Sequence, residues 1–483
     1  MINKKGMILK KITRALFFSI LIIVSCRTIT PDPDTHENEP PNLVLILVDD
    51  MGYADVGFNG CTDIPTPNID RIATQGVTFT NGYVSYAVCG PSRAGLITGR
   101  YQDRFGFSRN PLFAPNDPNM GLPLSEETMA TVLNQANYKS VAIGKWHLGA
   151  HPSQRPLERG FTDFFGFLTG GHRYFPEEWT LADEYEVKSQ NAAYRTKLLR
   201  NDNRIEESEY LTDALSREAA SYIEKYKDEP FFIYLAYNAP HTPLQATEKY
   251  LSRFDHISNK KRKTYAAMVS SVDDGVGLVL NKLKELGIEE NTIVVFLSDN
   301  GGPEPNNGSD NGPLKGKKGD LWEGGIRVPF AMQWPAKIQA GTVFDDPIIS
   351  LDIFATIAAQ NKESITLKKP LDGVNLLPYL EGKTGGMPHP LLFWKKYDQQ
   401  RMAVRRGKDK LVKYEESIAL YNVENDIGEE NNRLEEDEAT FYELQKAYDT
   451  WNKETKDPIF LGLRHNSEYN QLNPDRWGKK KSK

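Results

Sequence analysis

Cys89-Gly90-Pro91-Ser92-Arg93 opens a stretch that continues as Ala94-Gly95-Leu96-Ile97-Thr98-Gly99-Arg100 and reads as a helix with its cysteine at the start. The free N–H groups of a helix start and the charge of Arg93 both favour an anion at position 89. On generic chemistry this describes an activated thiolate. A second cluster is all oxygen. Asp49-Asp50 ends one apolar run and Asp299-Asn300 follows another. Adjacent carboxylates brought to about 4 Å repel by about 4 kcal/mol at an effective dielectric near 20. A divalent cation removes that repulsion, and an Asp/Asn donor set favours a hard ion, Ca²⁺ or Mg²⁺, over zinc.

Residues 42–48, 140–143, 231–236 and 293–297 have the length and β-branched content of parallel strands buried on both faces. Residues 68–75, 126–136, 210–227 and 261–286 carry helical spacing, and Gly287 is placed to stop the last helix. Alternation of the two predicts an α/β sandwich with a mostly parallel central sheet, whose ligands gather beyond the carboxyl ends of the strands. Those ends deliver Asp49-Asp50, Lys145-Trp146-His147, His241 and Asp299-Asn300. Beyond residue 386 the texture changes. Short strand-like runs at 391–396, 402–406, 410–414 and 418–423, then a helix over 437–454, predict a smaller α+β subdomain with an antiparallel sheet. The division is therefore a catalytic domain over 42–386, a C-terminal subdomain over 387–462 and a polar tail over 463–483. The composition of the tail predicts a solvated segment, although Arg464, His465 and Trp477 are the kind of residues that fold back over a site.

Residues 1–25 read as a lipoprotein signal peptide. Lys4, Lys5, Lys10, Lys11 and Arg14 precede an apolar run of about ten residues, too short to span a bilayer. Ile23-Val24-Ser25-Cys26 looks like a bacterial lipobox with Cys26 as the lipidated residue, followed by a polar, Pro-rich tether over 26–41. Export with a membrane anchor, periplasmic or at the cell surface, is the expected location. The segment holds five positive and no negative side chains, so its removal takes the net charge from −6 to −11. So acidic a body excludes general nucleic-acid binding and requires that any anionic substrate meet basic groups concentrated at one place. With Cys26 and Cys89 assigned, Cys61 is left without a partner, and stability must come from core size rather than disulfides.

Taken together the motifs resemble those of the type I, formylglycine-dependent sulfatases of the alkaline phosphatase superfamily. The matching pieces, in order, are the Asp49-Asp50 strand, Thr66-Pro67-Asn68-Ile69-Asp70, the Cys89 signature, Gly144-Lys145-Trp146-His147-Leu148-Gly149, Ala239-Pro240-His241, Ser298-Asp299-Asn300-Gly301, and Lys318-Gly319 leading to Glu323-Gly324-Gly325-Ile326-Arg327-Val328-Pro329. Leu420-Tyr421-Asn422-Val423 matches the second-subdomain signature. The resemblance implies removal of O-sulfate from a sulfated polysaccharide or oligosaccharide, with a marine algal glycan such as ulvan or carrageenan as the specific guess. It implies one calcium held by Asp49, Asp50, Asp299, Asn300 and position 89, where a formylglycine-generating or anaerobic sulfatase-maturing enzyme converts Cys89 to 3-oxoalanine. Arg93 would hold the hydrated aldehyde, Lys145 and Lys318 would clamp sulfate oxygens, His241 would protonate the departing sugar oxygen, and His147 would take the proton that frees sulfate.

Substrate selection is expected outside the shared motifs, in Phe165-Gly166-Phe167-Leu168-Thr169-Gly170-Gly171-His172-Arg173-Tyr174, where His172 and Arg173 are the candidate sugar contacts. Trp322, Trp394 and Tyr397 are candidate stacking faces. Two other readings compete: a formylglycine-dependent phosphodiester or phosphonate monoester hydrolase, and a non-catalytic glycan-binding surface lipoprotein that keeps the shell of an enzyme.

Overall fold

The computed structural model describes residues 40–477; the signal segment, Cys26 and nearly all of the tether lie outside the described residues. The central sheet contains β1 (Asn42–Val48), β2 (Val77–Phe79), β3 (Lys139–Lys145), β4 (Asp163–Phe167), β5 (Leu199–Arg200), β6 (Asn203–Arg204), β7 (Phe231–Ala236), β8 (Thr292–Ser298), β9 (Phe330–Gln333) and β10 (Thr342–Phe344). Their order across the sheet is β10-β2-β9-β8-β1-β7-β3-β4-β5-β6. The five middle strands, β8 through β4, run parallel, and β9 and β5 turn antiparallel towards the edges.

Period-two alternation explains why the middle strands are apolar throughout. On β1, Leu43, Leu45 and Leu47 enter one core, while Val44, Ile46 and Val48 enter the other. Helices α1 (Pro67–Thr74), α3 (Leu211–Tyr226) and α4 (Lys260–Glu285) cover the second face, and α2 (Cys89–Thr98) with α5 (Asp352–Gln360) pack on the first. The helix expected over 126–136 is shorter. It starts only at Met129, because the Thr128 side chain caps it there by accepting from the Thr131 N–H at 3.1 Å, and it passes after Leu133 into a 3₁₀ turn.

The C-terminal subdomain is an antiparallel sheet of β11 (Leu392–Lys396), β12 (Arg401–Arg406), β13 (Asp409–Tyr414) and β14 (Ser417–Asn422), packed against α6 (Glu438–Asn452). It is riveted to the catalytic domain by charge buried at the interface. Lys410 Nζ lies 2.8 Å from Glu323 and 2.9 Å from Glu429, with all three side chains inaccessible to solvent. Although burial opposes ionisation, Lys410 holds Glu323 down at about 2.

The chain beyond the subdomain departs from the solvated tail that its composition suggests. Lys456, Ile459 and Leu463 donate backbone N–H groups to the carbonyls of Asp103, Gly106 and Asn110. A helix over Asn466–Leu472 follows, and the Tyr469 hydroxyl donates to Asp117 at 2.8 Å while Arg476 donates to the Phe113 carbonyl at 2.9 Å. Apolar side chains at Leu461, Tyr469 and Trp477, spaced among polar residues, pack this segment onto the first core. Among the described residues no helix is long and apolar enough to cross a membrane.

Candidate active site

The carboxyl ends of β1, β3 and β8 and the start of α2 converge on one point. Asp49 and Asp50 follow β1, Asp299 and Asn300 follow β8, and both pairs are buried. Their repulsion is met by three cations. Lys145 Nζ donates to Asp49 Oδ2 and Lys318 Nζ to Asp50 Oδ1, each at 2.5 Å, and Arg93 Nε donates to Asp299 Oδ2 at 2.8 Å. Asn300 completes the set by donating to Asp50 Oδ1 at 2.7 Å. The two aspartates differ in consequence. Burial pushes Asp49 up to about 7 despite Lys145, whereas Lys318 and His241 hold Asp50 well below the ordinary carboxylate range against the same burial.

Backbone conformation aims these groups. Asp50 and His147 both sit at positive φ, 70° and 57°, a region that non-glycine residues enter at some strain. Gly144, at φ 96°, lets β3 twist just before Lys145; a Cβ there would lie 2.0 Å from the Ala236 carbonyl oxygen. Gly170 makes room in another way, since a Cβ at that position would lie 2.7 Å from His147 Nε2.

Cys89 is only 3% exposed, and its sulfur joins the ligand atoms of Asp49 and Asp299 in a cluster within 4.8 Å of one another. The helix-start argument needs correction here. Asn110 Oδ1 accepts the Gly90 N–H at 2.8 Å, so that donor is taken, and Arg93 spends its guanidinium on Asp299 and on the Lys145 carbonyl at 3.2 Å. Arg93 organises the carboxylates. Two buried oxygens, Asp49 Oδ1 and Asn300 Oδ1, have no hydrogen-bond partner. Orphaned buried acceptors within an Asp/Asn donor set fit a hard, oxygen-seeking cation.

A cleft of about 260 Å³ opens over this cluster, reached by Cys89, His147, His241 and Lys318. His147 is buried with Nδ1 unpartnered, and burial with Lys145 nearby holds it neutral, well below its ordinary value. His241 directs Nδ1 at the Thr242 carbonyl oxygen, 2.6 Å away, and faces Asp50 with Nε2 at 3.7 Å; burial brings it down to about 3. In this state Nε2 is an acceptor, and His241 becomes an acid when added negative charge raises its proton affinity.

A family model described as "Sulfatase" matches residues 41–360. The chain is 34% identical to the N-acetylgalactosamine-6-sulfatase of Mus musculus over 394 residues, covering 77% of this chain and 72% of that protein. It belongs to the sulfatase family. The human N-acetylgalactosamine-6-sulfatase is similarly 34% identical over 373 residues, covering 74% of this chain and 69% of that protein. Among solved structures, Ps i-CgsB in complex with k-i-k-neocarrahexaose superposes with a TM-score of 0.83 at 38% identity, covering 90% of this chain and 98% of that one. The fold is that of the alkaline phosphatase-like sulfatases, and the protein is a sulfuric ester hydrolase.

The sulfatase therefore gathers ten of the residues singled out by motif (Asp49, Asp50, Cys89, Arg93, Lys145, His147, His241, Asp299, Asn300 and Lys318) around one centre. It does not gather His172 and Arg173. His172 is fully buried, its two ring nitrogens 2.8 and 2.7 Å from the carbonyl oxygens of Arg173 and Thr196, and Arg173 points towards Glu178. The first half of that loop, Leu168, Thr169 and Gly170, lines the cleft instead. Trp394 is buried with its N–H on the Val84 carbonyl, and Trp322 is stacked on Tyr414, so neither offers a sugar platform. Sequence reasoning missed Asn110, Gln190, Asn191, Tyr194 and Leu463, all in the cleft wall on loops or single 3₁₀ turns too short to carry a periodicity that would mark them. His172→Ala is expected to leave KM for a sulfated substrate unchanged while lowering unfolding free energy by about 1–3 kcal/mol, through loss of buried hydrogen bonding. A raised KM at unaltered stability, measured by denaturation and initial rates, would return His172 to substrate recognition.

Proposed function

We propose that this sulfatase desulfates a sulfated galactan of the carrageenan type, through formylglycine at position 89 and a single calcium ion. The observation that carries the chemistry is the buried carboxylate set against Cys89, with Lys318 and two neutral histidines turned to one cleft and Lys145 buried behind it. The substrate reading is supported by the likeness to Ps i-CgsB, whose structure holds k-i-k-neocarrahexaose. Asp49, Asp50, Asp299 and Asn300 would hold the ion, which supplies positive charge where an oxygen nucleophile must ionise. Formylglycine at position 89, made by a maturing enzyme, would supply an oxygen nucleophile for attack at sulfur.

The chain's own groups do the rest. Lys318 reaches the cleft as a cation whose proton affinity is raised by Asp50 against the effect of burial, so it stays charged and able to grip sulfate oxygens. Lys145, held on Asp49, adds a second positive charge from below. His147 keeps a bare nitrogen in a dry setting and can take a proton there. His241, acceptor at Nε2 until an anion enters, then has a proton for the departing sugar oxygen. The Asn110, Gln190, Asn191 and Tyr194 side chains surround the remaining space with neutral hydrogen-bonding groups suited to sugar hydroxyls.

For location, the basic and apolar N-terminal residues ending at Cys26 support an exported, lipid-anchored protein. Cys26→Ala is expected to shift the protein from the membrane to the soluble fraction on cell fractionation; an unchanged distribution would remove the anchor. Cys89→Ala is expected to lower sulfate release from an aryl sulfate by about a thousandfold or more, as removal of a nucleophile does, with the thermal midpoint unmoved. Residual turnover near wild type would defeat the assignment of position 89. Calcium at about 100 times its Kd is expected to add about 2.7 kcal/mol to unfolding free energy, reversibly with chelator. Identical melting with calcium and with EDTA would rule the ion out.

A further inference from the structure

Beside the catalytic cleft lies a second cavity of about 170 Å³. Asn110 and Leu463 line both, so the two form one continuous furrow. Their chemistry differs sharply. Outside the catalytic groups the first cavity is walled by neutral amides, a tyrosine and apolar side chains. The second presents Arg109, Lys396, Arg464 and His465 against a single carboxylate, Asp398. That carboxylate is already taken, because Arg109 engages both its oxygens at 2.5–3.1 Å.

Lys396 and Arg464 are left over. Lys396 is only 4% exposed, donates to the Gly319 carbonyl next to Lys318, and forms no ion pair among the described residues. Arg464, exposed on the strapped C-terminal segment, likewise has no acidic partner there. A buried ammonium without an ion-pair partner is costly, and burial with Arg464 and Arg401 nearby draws Lys396 down to about 8 against the pull of Asp320 and Asp398. In a chain of net charge −6, two cations that form no ion pair and line one cavity make a local positive field that an incoming anion would reduce.

We propose that Lys396 and Arg464 form an anion subsite for a second negatively charged group on the same glycan, borne by a sugar next to the one that is desulfated. This rests on the sulfatase reading of the adjoining cleft and deepens it: the substrate class is a glycan with an anionic group on consecutive or nearby residues, not an isolated monosulfate. The scissile sulfate meets Lys318 and the neutral wall, while the neighbouring charge meets the basic end of the furrow. Arg464 is a substrate-binding residue in this scheme and has no part in the chemistry.

The test compares wild type, Arg464→Ala and the charge-keeping Arg464→Lys on 4-nitrophenyl sulfate and on carrageenan-type tetrasaccharides with one or two sulfates. Wild type is expected to favour the disulfated over the monosulfated tetrasaccharide by at least tenfold in kcat/KM. Arg464→Ala should erase that preference through KM, Arg464→Lys should keep most of it, and the loss on the tetrasaccharide should exceed any loss on the aryl ester by tenfold. A tetrasaccharide with a uronate in place of the second sulfate separates the two anion sources, since a preference for either one supports the subsite. Equal losses on every substrate, or no preference in wild type, would overturn it. Titration of the disulfated tetrasaccharide into Cys89→Ala protein provides a readout free of turnover. If wild type hydrolyses no sulfate ester yet Arg464→Ala still weakens this binding tenfold, the catalytic reading fails and the subsite stands; unaltered binding rejects the subsite whatever the turnover.

Discussion

Negative charge forced together at the ends of two neighbouring strands is the constraint on which the rest of this molecule depends. Asp49 and Asp50 leave β1 where Asp299 and Asn300 leave β8, and parallel pairing of those strands makes the encounter unavoidable. Every element around the point then acts to make the cluster tolerable. β3 brings Lys145, α2 brings Arg93, and the loop before residues 323–326 brings Lys318. Of these cations Lys318 lines the cleft, while Lys145 and Arg93 lie buried behind it, so the charge that makes the fold tolerable here also sets the field of the cleft.

The C-terminal subdomain enters this economy through the Lys318 loop. Gly319 donates to the Ala87 carbonyl and accepts from Lys396 on β11, Lys315 donates to the Glu429 carbonyl, and Glu429 in turn shares Lys410 with Glu323. A catalytic-domain lysine is therefore positioned from both domains. Breaking the buried Lys410 contacts would leave Glu429 without its cation and Glu323 dependent on Arg327 and the more distant Arg405, an arrangement that buried ion networks tolerate poorly.

Much of this was legible before any coordinates. The strands at 42–48 and 231–236 coincide with the observed elements because an unbroken apolar run between polar ends admits few alternatives. The four short runs after residue 386 likewise emerged as the antiparallel sheet. What escaped were β2, β5, β6 and β10, which have two or three residues each and owe their conformation to pairing rather than to propensity, together with β4 and β9, of five and four residues. At the site, residues carried by a motif were found, Lys318 on its loop among them, and loop residues outside any motif were not. His172 shows why. A histidine beside two glycines reads as a loop contact, but only the three-dimensional path of the Thr196 segment reveals that its ring is enclosed. Asn110 and Leu463, 353 residues apart, adjoin because the chain beyond α6 runs back along 103–110, a pairing without any local signal.

That returning strap sets a timetable. Leu463 follows Cys89 by 374 residues, so at about 5–20 residues per second the ribosome spends roughly 20–75 s between the two. During that interval the wall around position 89 is incomplete; afterwards the side chain is enclosed at 3% exposure. Any chemistry that has to reach this side chain must therefore act before the returning segment closes the wall, or must reopen it afterwards.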